Sequence, residues 1–262
     1  LANNLKIKWV DVDKESLSID FADLRKKIDK NTKLISLVHW GGYPCDLDEI
    51  YNIQMECKEK FGFFPLVIED CAHALGSKFN GEQIGSWGNI STFSFQAIKH
   101  VTSIDGGAIV LPDESLFNRS KLIRWYGIDR ETNRKDFRCE DDIKEWGYKF
   151  HMNDVSAAVG YENFKHIKFI SDGFKRCLDF YRENLKDCNG IKLIQNDLEN
   201  KRDWNPWLFS VLVDDKADFY KKMHSSGIMV SQVHERNDKH TCVKEYKTPL
   251  PNVDEEIGRA HV

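Results

Sequence analysis

The 262-residue sequence has no apolar run approaching the roughly 20 residues that cross a bilayer, so no membrane-spanning helix is expected. Its first residues, Leu1-Ala-Asn-Asn-Leu-Lys-Ile-Lys, lack the charged, apolar and small-residue zones of a secretory leader, and a cytoplasmic location is the expectation. Neither sign of charge is in excess: 38 Lys and Arg stand against 42 Asp and Glu, a formal net charge of -4. Without a basic stripe interleaved with aromatics, there is no electrostatic footprint for nucleic acid. The seven cysteines (Cys45, Cys57, Cys71, Cys139, Cys177, Cys188, Cys242) are odd in number and scattered, with no C-x-x-C pair and no histidine cluster at ligand spacing. Free thiols in a reducing compartment, and no metal site, are expected. Internal repeats and low-complexity segments are also lacking.

What remains is an ordinary globular composition, 41% hydrophobic, with enough apolar material for one large domain and a smaller one. In the first half, short apolar runs alternate with amphipathic stretches, the pattern of helices packed on a mostly parallel sheet, hence α/β. Asp20 reads as the N-cap of a helix with Phe21, Leu24 and Ile28 at helical spacing. A buried strand is expected at Lys33 to His39, a break at Gly41-Gly42-Tyr43-Pro44, a helix from Leu47 to Phe61, and a strand at Leu66 to Asp70. Ile90 to Phe95 alternates as a strand does, Gln96 to His100 reads as an irregular turn, and Ala108 to Leu111 as another strand. A helix should run from Pro112 through Tyr126, with a surface excursion from Asp129 to Glu145 and a helix from about Asp154. From residue 167 the pattern becomes that of a smaller α+β domain: a helix to Leu185, strands near Ile191, at Leu208 to Val213 and at Ile228 to Val233, and a helix to Ser226. The expected domains are therefore 1–166 and 167–262.

Two segments in the first domain can carry chemistry. Asp70 closes an apolar strand, and ligands of open α/β sheets bind beyond the carboxyl ends of strands. A carboxylate placed there wants a cationic partner such as a protonated pyridine nitrogen, or else it caps a following helix; locally the two readings balance. Lys99 follows an alternating strand and precedes Gly106-Gly107, where partial burial would lower the proton affinity of its amine and make it a nucleophile. A surface loop lysine is the competing account. His73 could face a ring and Ser94 could bind phosphate, against the plainer readings of a structural histidine and a strand's polar face.

Four segments occur in order at fitting separations: Val67-Ile68-Glu69-Asp70-Cys71-Ala72-His73-Ala74-Leu75-Gly76, Phe93-Ser94-Phe95-Gln96-Ala97-Ile98-Lys99, Asp105-Gly106-Gly107-Ala108, and Gly147-Tyr148-Lys149-Phe150-His151-Met152-Asn153-Asp154. Together with Asp11-Val12-Asp13 and Val38-His39-Trp40-Gly41-Gly42 they resemble the DegT/DnrJ/StrS family of nucleotide-sugar aminotransferases, across most of the chain. The resemblance implies the type I fold of enzymes that use pyridoxal 5'-phosphate (PLP). It also implies roles: Lys99 as the catalytic lysine that holds PLP covalently and then shuttles a proton, Asp70 on the pyridine nitrogen, His73 near the ring, and Ser94 on the phosphate. The implied reaction moves an amino group from glutamate to a nucleoside-diphosphate keto-sugar in ping-pong fashion, in a homodimer with shared active sites.

Relatives supply a Gly-Thr phosphate turn and a ring-stacking aromatic from residues that would precede Leu1. The expectation is accordingly a fragment, short also at Glu256 to Val262, that binds PLP poorly by itself. Where relatives carry an Asn or Arg that reaches the neighbouring subunit's cofactor phosphate, this chain offers Lys149 or His151. His151 is taken as the candidate, beside the reading of a charged lead-in to the helix near Asn153. Two other functions compete: a PLP-dependent deoxysugar dehydratase, a class that replaces the lysine by histidine (His100 is adjacent), and a PLP-free α/β binding or regulatory module. The polar segment Val230 to Asp238 could face substrate or simply be solvated.

Overall fold

The computed structural model describes residues 3–131, 142–232, 235–258 and 260–261. In chain order its helices are α1 (Phe21–Lys27), α2 (Leu47–Phe61), α3 (Glu114–Ile123), α4 (Asp154–Phe164), α5 (Ile167–Leu185), α6 (Lys216–Ser225) and α7 (Pro251–Gly258). The strands are β1 (Leu34–Val38), β2 (Leu66–Asp70), β3 (Lys78–Phe79), β4 (Glu82–Gln83), β5 (Ile90–Ser94), β6 (Gly107–Val110), β7 (Ile191–Leu193), β8 (Arg202–Asp203), β9 (Val211–Val213) and β10 (Ala260–His261).

The central sheet has the order β1-β2-β5-β6, parallel from β1 to β5 and antiparallel at β6, as the expected mostly parallel α/β sheet requires. Its helices start where the chain supplies a cap. The Asp20 carboxylate accepts from the N–H groups of Ala22 and Asp23 at the start of α1, and Asp46 accepts from Glu49 at the start of α2. α2 ends at Gly62, whose φ of 77° suits a residue without Cβ. Between those ends Leu47, Ile50, Ile53 and Cys57 recur at helical spacing and bury against Ile35, Leu37 and Val67 on one face of the sheet.

That burial is one-sided. β1 was expected to be buried throughout, but it alternates, with Ile35 and Leu37 buried and Val38 exposed. The opposite face, which carries Val38, Leu66, Asp70, Thr92 and Ser94, stands open. α3 stops at Ile123, short of the expected Tyr126, because Trp125 forms a bridge to Lys149 and the chain turns through Tyr126 and Gly127 with φ of 58° and 79°. The expected surface excursion from Asp129 lies partly, and Cys139 wholly, outside the described residues.

The second half builds a sheet of order β10-β9-β7. β9 starts at Val211, three residues later than expected, and Ile228 to Gln232 forms no strand; Val233 lies outside the described residues. Both edges of β9 are already taken, by β7 and β10, so the 228–232 segment cannot pair with β9. A third small sheet, β4-β3-β8, ties the halves together, because β8 pairs antiparallel with β3. No described helix is long and apolar enough to cross a membrane.

Candidate active site

Asp70 ends β2 in register with Val38 of β1 and Thr92 of β5, and alternation puts Thr92 and Ser94 on the same open face. No helix follows Asp70 for it to cap. One carboxylate oxygen instead accepts from the N–H of Ala72 at 3.0 Å, closing a local turn. Beyond β5 the Ser94 hydroxyl accepts from the N–H of Gln96 at 3.3 Å, and the N–H of Lys99 returns to the Gln96 carbonyl at 2.9 Å. This turn folds Lys99 back over the strand ends. Its amine is half-buried: desolvation pulls its proton affinity below the ordinary lysine value, while the charge of Asp70 pulls the other way.

His73 stands in the same group. Its Nδ1 accepts from the N–H of Gly41 at 3.3 Å, its ring meets Trp40 edge-on at 4.9 Å, and it stacks on Trp207 at 4.0 Å with an interplanar angle of 26°. The Lys99 ammonium lies over the same Trp207 ring, 3.7 Å from its centroid. Trp207 is pinned at both ends: its backbone N–H donates to Gly41 at 2.9 Å, and its indole N–H donates to the Ile98 carbonyl at 3.0 Å.

Sequence reasoning missed Trp207, which arrives from the far half of the chain. The path is set by β8 on β3 and then by Asn205. The Asn205 N–H donates to the Ser77 hydroxyl at 2.9 Å, its side-chain amide donates to the Leu75 carbonyl at 2.9 Å, and the Ser77 hydroxyl donates to the Gly42 carbonyl. Gly42, at φ 93°, allows this approach; a Cβ there would lie 2.2 Å from the Asn205 carbonyl oxygen. The Trp204-Asn-Pro-Trp207 stretch is a dense aromatic signal, but nothing local in it says where it docks.

The other candidates fall elsewhere. His151 packs edge-on against Trp125, with ring centroids 3.8 Å apart, and lines a cavity of about 420 Å³ with Arg119, Lys121, Arg124 and Arg130. Burial, followed by the charges of Lys149, Arg130 and Arg124, lowers its proton affinity. Among the described residues no contact joins it to the Asp70 group. His100 is buried, donates from Nε2 to the Pro206 carbonyl at 3.0 Å and faces Phe174, away from an acid–base role. In the Val230 to Asp238 segment, Arg236 turns inward to bind Asp238 and Asp254. His39, Glu69 and Cys71 place potential metal donors within 4.8 Å of one another, but His39 and Glu69 are already hydrogen-bonded to each other at 2.8 Å.

A carboxylate, a partly desolvated amine, an imidazole face and a hydroxyl thus converge at the carboxyl ends of parallel strands, a set suited to hold an aromatic, anionic ligand and to move protons on it. Known proteins share this arrangement of the chain. The structure of AtS13 from Actinomadura melliaura is 41% identical and superposes with a TM-score of 0.94 over 99% of this chain and 69% of that one. That of the sugar aminotransferase CalS13 from Micromonospora echinospora is 35% identical, with a TM-score of 0.93 and the same coverages of 99% and 69%. GDP-perosamine synthase of Escherichia coli is 32% identical over 205 residues, 78% of this chain and 51% of the synthase. The chain spans between 51% and 59% of the length of the curated relatives it matches. With residues 1–256 matching the family as a whole, the chain belongs to the DegT/DnrJ/EryC1/StrS aminotransferase family.

Proposed function

We propose that the protein of this chain is a PLP-dependent aminotransferase that moves an amino group from glutamate to a nucleotide-linked keto-deoxysugar, in the cytoplasm and as a homodimer. The observation that carries this reading is the Lys99 ammonium seated over Trp207, which itself stacks on His73, beside Asp70 at the strand ends. Those residues fit PLP: an anion for its ring nitrogen, an amine for its aldehyde, an imidazole face for its ring and the Ser94 hydroxyl for its phosphate. Bound there, PLP supplies an electron sink for negative charge developing at a substrate carbon.

The chain's own residues do the rest. Asp70 holds a proton at the ring nitrogen, and the turn at Ala72 keeps that carboxylate oriented. Lys99 would anchor the cofactor and, as a free amine, would take and return the proton at the reacting carbon; its depressed proton affinity raises the fraction of free amine available for that work. Trp207 and His73 form an aromatic wall that limits water at the amine. His151 is assigned to the neighbouring subunit's cofactor phosphate, a role supported by Arg124 and Arg130, which line the same cavity, although Asp129 and Glu131 line it too. The sugar substrate is supported by the relatives named as perosamine synthase and sugar aminotransferase. The dehydratase alternative, with histidine in the lysine's role, is disfavoured because Lys99 faces the group while His100 is buried on the Pro206 carbonyl.

The test supplies the protein with PLP, nitrogen-15 glutamate and a nucleoside-diphosphate 4-keto-6-deoxyhexose, and reads the sugar by mass spectrometry. Labelled amino-sugar that vanishes in Lys99→Ala is expected. Loss of a sugar hydroxyl without gain of nitrogen would establish the dehydratase instead.

A further inference from the structure

The open sheet face carries Asp70, but a fully buried pair lies on the other face directly beneath it. His39 follows β1, Glu69 immediately precedes Asp70, and both side chains have no solvent exposure. The backbone N–H of Cys45 donates to His39 Nδ1 at 3.0 Å, so the ring's proton sits on Nε2, which donates to the Glu69 carboxylate at 2.8 Å. The second Glu69 oxygen accepts from the Asn89 side-chain amide at 2.8 Å. Both Glu69 oxygens thus receive donors. Burial lowers the proton affinity of His39 while Cys45, Cys71 and Glu69 raise it, with a net upward direction, but the Cys45 N–H occupies Nδ1, so the ring carries its one proton on Nε2 toward Glu69. The same histidine's backbone N–H donates to the Asp70 carbonyl at 3.1 Å. Residues beside β1, β2 and β5 are thereby cross-linked at the Asp70 position.

A buried carboxylate is costly, and a hydrophobic pair of similar volume would hold the strands at least as well. Placed on the strand residue next to Asp70, its charge can act across the sheet. We propose that Glu69, held by His39 and Asn89, is a positioning residue for Asp70, whose negative charge across the sheet strengthens the hold of Asp70 on the protonated ring nitrogen of the cofactor. This rests on the PLP role proposed for Asp70. The titratable groups around Glu69 are His39, the Cys45 and Cys71 thiols and, across the sheet, Asp70, itself coupled to Lys99. Burial pushes the Cys71 thiol up, so it stays neutral, and the field at Asp70 from this side is that of Glu69.

The test is a pH titration of the absorbance of the PLP-loaded, complete protein, comparing wild type with Glu69→Gln. Glutamine keeps the shape and an acceptor for His39 but removes the charge. Loss of a nearby negative charge should lower the pH midpoint of the cofactor band by on the order of one unit, with thermal stability preserved. The double variant His39→Leu/Glu69→Leu, which deletes the pair as a whole, should shift it in the same direction. A midpoint unmoved in either folded variant would overturn the inference and leave a purely structural pair. A wild type with no cofactor band at all removes the PLP reading first, and this inference with it.

Discussion

Two opposing influences set the proton balance of Lys99: desolvation against Trp207, which favours the neutral amine, and the charge of Asp70, which favours the ammonium. Replacing Asp70 by Asn deletes the second and leaves the first. Lys99 in Asp70→Asn should therefore lose its proton at lower pH than in the wild type, and wild-type Lys99 at lower pH than an ordinary lysine. Reductive methylation of the cofactor-free protein with formaldehyde, followed at the Lys99 peptide by mass spectrometry across pH, reads both midpoints; an upward shift in Asp70→Asn would contradict the assigned coupling. Asp70 and Lys99 were legible in the sequence as candidates because Asp70 closes an apolar strand, Lys99 follows another, and each lies within a segment that resembles relatives. Trp207 was not, because its place depends on Asn205, Ser77 and Gly42 meeting across more than 100 residues, and no local pattern encodes such a meeting. Even the alternative of Asp70 as a helix cap needed the structure to dismiss it: the residues after it form turns, and the carboxylate binds Ala72.

At the scale of elements, local chemistry decided most boundaries. α1 and α2 begin at the aspartates that cap them, and α2 runs from Leu47 to Phe61 as its apolar spacing dictates. Asp46→Ala should cost about 1 kcal/mol, since it leaves the Glu49 N–H without its acceptor, and urea unfolding would measure it. Gly42→Ala should cost more, about 3 kcal/mol, because the new methyl group meets the Asn205 carbonyl and φ is positive; an unchanged urea midpoint would mean that the two halves do not meet at Gly42. The β3–β4 hairpin was overlooked although Asn80-Gly81, at φ 48° and 82°, is the turn pair such hairpins favour. The strand expected at Ile228 to Val233 failed for a nonlocal reason. Its β-prone residues were real, but the neighbouring strand already had two partners.

For the whole molecule, the distribution of apolar surface matters most. Trp146, Phe150, Val155, Tyr161, Phe164 and Phe169 are exposed around α4 and the start of α5. This supports the proposed homodimer, and Val155→Asp with Tyr161→Glu should shift the assembled protein toward monomer in sedimentation velocity; an unaltered sedimentation coefficient would exclude this face from the contact. The α/β class followed from the alternation of elements in the first half, whereas the docking of the second half through β8 did not, since a two-residue strand carries almost no signal. The claim on which everything else depends is that Lys99 binds PLP. Its most direct measurement is the absorbance spectrum of the complete protein incubated with PLP, before and after glutamate, for wild type and Lys99→Ala. A band of lysine-bound cofactor that bleaches with glutamate and is absent from Lys99→Ala is the expected result; a wild-type spectrum indistinguishable from that of Lys99→Ala would contradict it.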